Sequence, residues 1–208
     1  MKLGLNDMER LADIIVLHVL PHFSGHNTDL RSLKFDLYNL CTYHEVIARQ
    51  VLESPGGFEH GHMWFAVSSM VHSYYFCPDR KEDCGRQVWK KQEFILDTGS
   101  LLDRDERSDY IQALEPGEFI SIRYPHLRWL MERYPVLREK IEQLSRHQQR
   151  YDRQHIQLLN KPAIDRVRQF EAENALFARI ASNSIKAMHV GLTRQGYERQ
   201  LKKLHEGL

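Results

Sequence analysis

Gly191 stands between two short stretches of helical periodicity, and this corner constrains the chain more than any other feature. Only Gly takes a positive φ there at no steric cost. Ala187, four residues earlier, is small enough for a second helix to cross closely, and Leu192 fills the gap beside it. Thr193 is a good N-cap, its hydroxyl able to accept from orphan amides of the next helix. Beyond it Tyr197, Leu201 and Leu204 fall at i, i+4 and i+7 and share one face. Gln195, Glu198, Arg199 and Lys202 fall on the other, with Arg194 at the first turn. The stretch from Ser184 to Leu204 is therefore predicted to be two short helices meeting at a tight turn.

An apolar underside with Arg, Gln and Lys near the helix N-terminus is what a helix entering the DNA major groove needs. Arg reads guanine bidentately, Gln reads adenine, and Lys or Thr holds phosphate. Thr193, Arg194, Gln195, Arg199 and Lys202 are thus the candidate DNA contacts. Residues 184–208 carry five Lys or Arg against two Glu, a local excess of +3 where the whole chain has +1. Three residues speak against DNA binding, and Lys186 and Gln200 among them, together with Leu96 and Ser69, favour an alternative, an interaction protein whose helix-turn-helix has decayed. Lys186 sits where an apolar side chain is usual, Gln200 borders the buried face, and Glu198 aims a negative charge towards the phosphates.

The remaining sequence is ordinary for a globular chain. Its 208 residues have room for one substantial core, or a core with a small satellite domain. No run is long and apolar enough to span a bilayer, and acids precede the first apolar run, so a cytoplasmic location without membrane contact is expected. Cys41, Cys77 and Cys84 are too few for an iron–sulfur cluster and read as reduced thiols. Cys77 and Cys84 flank the loop Pro78–Asp83 and are candidates for a redox pair.

Helical patterns are expected at Leu5–Leu20, stopped by Pro21, and at Leu30–Leu40. Five β-rich runs follow: Glu45–Glu53, Met63–Phe76, Arg86–Ile95, Ser108–Leu114 and Glu118–Arg123. Ser54-Pro-Gly-Gly57, Pro78-Asp79, Asp97-Thr-Gly99 and Glu115-Pro-Gly117 punctuate them. Such spacing predicts an antiparallel barrel or jelly roll. A helix at Pro125–Tyr134 precedes a long one from Pro135 to Asn160. Leu137, Ile141, Leu144, Gln148, Tyr151, His155 and Leu158 step by four and three along it, the seam of a two-helix coiled coil. That stripe is read as a homodimer seam, with packing on the chain's own barrel as the alternative. A further helix is expected at Pro162–Ile180.

This order, helix, barrel, long helix and helix-turn-helix, resembles the Crp/Fnr superfamily of bacterial transcription regulators. The residues that carry the resemblance are Met63-Trp-Phe-Ala-Val-Ser-Ser-Met-Val-His-Ser-Tyr-Tyr-Phe76, Glu106-Arg-Ser-Asp-Tyr-Ile-Gln-Ala-Leu-Glu115, Leu130-Met-Glu-Arg-Tyr-Pro135 and Val190-Gly-Leu-Thr-Arg-Gln195 with Arg199. It implies an α+β fold. A sensor β-barrel with its N-terminal helix would span 1–134, a dimerisation helix 135–161 and a DNA-binding helix-turn-helix domain 162–208. It also implies a dimer on a pseudo-palindromic operator in double-stranded DNA, with RNA polymerase as a further partner. By resemblance, Arg107-Ser108 is the phosphate-binding pair for a cyclic nucleotide and Asp97 the ribose ligand. The family's Gly-Glu reads Leu96-Asp97 here, which places a side chain where close approach is required. Gln195 stands where an acid is usual, and Ser69 replaces a turn Gly.

A metal-dependent cupin is the rival enzyme, because His60 and His62 form an H-x-H pair that would point to one side of a strand. Its third ligand is missing, since Phe65-Ala-Val67 occupies the place of the expected Glu. No nucleophile–base pair, Gly-rich phosphate loop or carboxylate dyad is evident. The chain is read as a regulator rather than an enzyme, with no metal site.

Overall fold

A computed structural model describes residues 27–206. The predicted helix at Leu5–Leu20 lies outside the described residues. Helix α1, Asn27–Leu40, leads into eight strands. These are β1 Thr42–Val46, β2 Val51–Glu53, β3 His62–Ala66, β4 Val71–Cys77, β5 Glu82–Trp89, β6 Phe94–Ile95, β7 Tyr110–Ala113 and β8 Gly117–Arg123. They form two antiparallel four-stranded sheets, ordered β1-β8-β3-β6 and β2-β7-β4-β5.

The centre of the first sheet, β3 with the middle of β8, is buried on both faces, and its sequence shows why. In β3, Met63 and Phe65 join Ile120, Ile122 and Phe94 beneath the helices, while Trp64 and Ala66 join Val71, Ile111, Ala113 and Phe119 between the sheets. A strand covered on both sides reads as an unbroken apolar run rather than an alternation. Three predicted runs are each two strands. The breaks fall at residues 47–50, 67–70 and 90–93. Arg49 (φ 64) and Gln92 (φ 65) supply the left-handed residues of two of these turns. In the third, the fully buried Ser69 donates its hydroxyl to the Met70 and Glu115 carbonyls, fixing a corner without a Gly.

Helix α2, Tyr124–Arg133, ends before Pro135, and α3 runs from Pro135 to Leu159. The stripe expected to be a free dimer seam is turned inward. Leu137 and Ile141 are each 1% exposed in the core with α1, α2 and the first sheet, and Leu144 packs against it. Gln148 accepts from the Thr98 hydroxyl at 3.0 Å, and the Tyr151 hydroxyl meets the Val88 backbone. His155 donates to the His189 carbonyl, and Leu158 joins the C-terminal core. Of the residues assigned to a dimer seam, Leu137, Ile141 and Leu158 are buried within the chain itself, and Leu144, Gln148, Tyr151 and His155 are half-buried. Each of these side chains already has a partner in its own chain. Burying Leu137 and Ile141 there stabilises the fold by about 1.5–3 kcal/mol each.

The predicted helix Pro162–Ile180 is two helices, α4 Ala163–Glu173 and α5 Ala175–Ile180. Asn174 breaks them at φ −119 and ψ 40, its side-chain amide donating to the Phe170 carbonyl. Helices α6, Asn183–His189, and α7, Arg194–Glu206, complete the described chain. Their core of Val167, Phe170, Phe177, Ile185, Val190 and Tyr197 is continuous with Met70, Val88 and Leu114 of the barrel. The C-terminal helices thus share their hydrophobic interior with the strands.

Candidate nucleic-acid interface

The α6–α7 corner is built as its residues demand. Ser182 caps α6 by accepting from the Ile185 amide, Gly191 turns the chain at φ 60, and Thr193 caps α7 by accepting from the Gly196 amide at 3.1 Å. Carbonyls at the end of α6 carry partial negative charge. The guanidinium of Arg166 donates to Val190 O at 2.8 Å and to Gly191 O at 3.3 Å. Arg80, from the β4–β5 hairpin, donates to Gly191 O at 3.4 Å, so a barrel loop reaches this turn.

Tyr197 is fully buried and Leu201 and Leu204 pack beside it, as the spacing predicts. Lys186 is only 7% exposed, and its place in the interior is stabilised by partners. Its ammonium pairs with Glu171 at 3.1 Å, donates to the Ala178 carbonyl at 3.2 Å and lies 5.4 Å over the Tyr197 ring. The Tyr197 hydroxyl donates to the same carboxylate. A buried cation is tolerated when paired and hydrogen-bonded, so Lys186 is part of how α7 is seated.

Thr193, Arg194, Gln195, Arg199 and Lys202 are all exposed; on α7, Gln195, Arg199 and Lys202 share the arc opposite its apolar face, and Arg194 stands at the first turn beside that face. Glu198 lies between Arg194 and this arc. It accepts from Arg194 Nε at 2.8 Å and from Asn183 at 3.3 Å, and the Arg194 hydrogen bond holds its carboxyl below its ordinary value. Its charge is matched by the neighbouring guanidinium. Arg199 has no hydrogen bond or ion pair among the described residues, while Lys202 pairs loosely with Glu206 at 3.5 Å.

The residues assigned to an effector each have a partner within the chain. Arg107 donates to Glu53 at 2.7 Å, and the two side chains are 9% and 4% exposed. Glu53 also accepts from the His62 amide at 2.7 Å and from the Trp64 indole at 3.0 Å. The Arg107 fork is thereby directed to an internal carboxylate. Ser108 is exposed and donates to Asp109. Asp97 caps the turn Gly99–Asp103 by accepting from the Ser100 amide, and burial raises its pKa. A cavity of about 570 Å³ opens elsewhere, between α3, the β5–β6 turn and α4, and none of Asp97, Arg107 and Ser108 lines it. Trp89, Phe94 and Phe170 form its apolar wall, and Lys140, Gln148 and His155 contribute polar groups.

His60 and His62 do not act as a pair. His60 is exposed in the helical turn Phe58–His60, while His62 begins β3 and bonds Glu53 through Nδ1. Among the described residues no group of three or more His, Cys, Asp or Glu is arranged to hold a metal ion. Cys77 and Cys84 are free thiols in contact across the β4–β5 hairpin. No described helix is long and apolar enough to cross a membrane.

A histidine relay at the seat of α6 escaped the sequence reading. His189 is fully buried, stacked on Phe170, edge-on to Phe177 and pressed against Gly85 of β5. Its Nε2 lies 3.3 Å from His72 Nδ1, and His72 Nε2 lies 3.1 Å from Gln112 Oε1. His155 Nε2 meets the His189 carbonyl at 2.8 Å. Histidines on β4, α3 and α6, far apart in sequence, leave no local pattern.

No family model matches the chain, and no curated protein matches its sequence. Solved structures do match. CLP of Xanthomonas campestris, described as a c-di-GMP responsive global regulator, has a TM-score of 0.68 at 17% identity, covering 83% of this chain and 90% of that one. A Crp/Fnr-family regulator from Eubacterium rectale has a TM-score of 0.72 at 13% identity, covering 88% and 85%. FixK2 of Bradyrhizobium japonicum has a TM-score of 0.67 at 16% identity, covering 80% and 85%. At these identities the likeness establishes the fold. It is the α+β fold of the Crp/Fnr regulators, an antiparallel β-barrel followed by a long helix and a helix-turn-helix.

Proposed function

We propose that this chain is a DNA-binding transcription regulator of the Crp/Fnr type that inserts α7 into the major groove. One observation carries the reading: Gln195, Arg199 and Lys202 form an exposed arc, with Arg194 exposed at the first turn, on a helix whose other face is locked by Tyr197 and the Gly191 corner. Arg199, free of partners among the described residues, is assigned to a base edge or phosphate. Thr193 and Lys202 are assigned to phosphates, and Arg194 and Gln195 to bases. Two copies would read half-sites about one helical turn, roughly 34 Å, apart on a pseudo-palindromic operator.

Response to a cyclic nucleotide is not part of this reading, because Glu53 already occupies the Arg107 guanidinium. The Arg194–Glu198 pair favours a second reading, an interaction protein whose helix-turn-helix no longer binds DNA. Selecting fragments from random DNA and titrating the bound fraction with salt separates the two. A regulator yields an enriched palindrome and an affinity that falls steeply with salt. Weak binding at every salt and no enriched sequence would sink the proposal.

A further inference from the structure

The seat of α6 on the barrel contains three histidines from three elements, and their hydrogen bonds assign every ring proton. Gln112 Nε2 donates to the Arg49 carbonyl, so its Oε1 faces His72 and accepts from His72 Nε2–H. His72 Nδ1 is then a lone pair and accepts from His189 Nε2–H. The His189 carbonyl can only accept, so His155 donates through Nε2–H. His189 Nδ1 is left as a buried lone pair with no partner among the described residues.

This arrangement is complete only when His72 and His189 are both neutral. A proton added to His72 Nδ1 would face the His189 Nε2–H, and relieving that clash by moving the His189 proton to Nδ1 would leave a buried N–H without an acceptor. A proton added to His189 Nδ1 would enter a pocket of Phe170, Phe177 and Gly85 that offers no acceptor. The groups facing His72 and His189 from each packed element bring, among the described residues, no carboxylate to compensate a charge on either ring. From β4 come His72 itself and Tyr74, stacked on its ring; from β7 comes the uncharged Gln112; from α4 and α5 come Phe170 and Phe177 against the His189 ring, and the cation Arg166 of α4 bonds the next carbonyl, Val190 O. From α3, Asp152 favours a charged His155, and from β5, Arg86 opposes it.

We propose that the relay His72–His189–His155 is a proton-operated latch: neutral, it holds the helix-turn-helix on the barrel, and protonation releases it. The contact it controls is close, since a Cβ on Gly85 would lie 2.6 Å from the His189 ring. Burial pushes His72 down to about 4 and His189 well below its ordinary value, His72 and His155 adding to the latter. The sign follows from linkage. A histidine whose pKa is lowered by docking contributes its stabilisation in full above about pH 6.5, the undocked value. That contribution is lost as pH falls towards the docked value. Each proton taken up on release shifts the docking equilibrium roughly tenfold at pH 5.5 relative to pH 7.5. The inference does not depend on DNA being the ligand of α7.

Amide hydrogen exchange of the full chain, corrected for intrinsic rates, reads the latch directly across Ile185–Val190 and the facing β5 backbone. From pH 7.5 to 5.5 protection of both segments should fall together by tenfold or more, while that of β3 and β8 is unchanged. His189→Phe keeps the ring stack and removes the titrating group, so its profile should flatten. Should that variant fail to fold, His155→Gln retains a donor to the His189 carbonyl and should lessen the pH slope. Wild-type protection that is level across this range, or a folded variant with the wild-type slope, would overturn the latch.

Discussion

Gly85 and His189 interlock: the strand offers a backbone without a side chain where the helix presents an imidazole edge, 2.6 Å from where a Cβ would stand. Gly85→Ala therefore cannot be accommodated without moving α6. We expect it to destabilise the folded chain by about 1–3 kcal/mol, as overpacking does. Exchange protection should fall in α6 before β3. A variant as stable as the parent, with α6 equally protected, would contradict the close fit.

Arg199→Ala should weaken operator binding by about 1–3 kcal/mol and relax base preference if Arg199 reads a base, or lower the salt slope by about one if it holds phosphate. Fluorescence anisotropy on the selected DNA distinguishes these results. Binding unchanged in strength, preference and salt slope would remove Arg199 from the interface.

Lys186→Ala removes the cation that bridges Glu171 and the Ala178 carbonyl beneath Tyr197. A hydrogen bond to a charged group contributes about 1.5–3 kcal/mol, and Glu171 is half-buried, so a loss of about 1–2 kcal/mol is expected in urea unfolding. Lys186→Met should lose less, because its unbranched stem still covers the Tyr197 ring. Equal losses would mean that packing is irrelevant at this position.

Glu53→Gln leaves Arg107 buried without its counter-charge. Removing one member of a buried pair costs about 3–5 kcal/mol, whereas replacing both with neutral side chains costs far less. The double variant Glu53→Gln with Arg107→Met should therefore be more stable than Glu53→Gln alone. Thermal unfolding of the three proteins decides it; a double variant no more stable than the single would show that Arg107 is already hydrated.

The corner at Gly191 was legible because one local rule governs it: the turn needs a positive φ and the residue there is Gly. The long helix was equally plain, expected from Pro135 to Asn160 and found from Pro135 to Leu159. Strand boundaries were hidden where Arg49 and Gln92 take the left-handed conformation, since neither residue type signals a turn. The direction of the α3 stripe was hidden for another reason. A heptad pattern states that a face is buried but not against which partner, and here the barrel and α6 supply it. The histidine relay and the Glu53–Arg107 pair are products of tertiary contact alone. In each case the residues involved are too distant in sequence for periodicity to join them.

Because α3 turns its apolar stripe inward, its outer surface follows different rules. Glu139, Glu142, Arg146, Gln149, Arg153 and Ile156 line that side, and Ile156 (60% exposed) and Leu159 (36%) are its large hydrophobics. Two copies laid side by side in the same direction would oppose Glu139 to Glu139 and Arg146 to Arg146. Cohesion would be confined to the last turns, next to α4. Such a junction would behave as a pivot, gripping at one end and tunable by ionic strength, and not as a rigid rod.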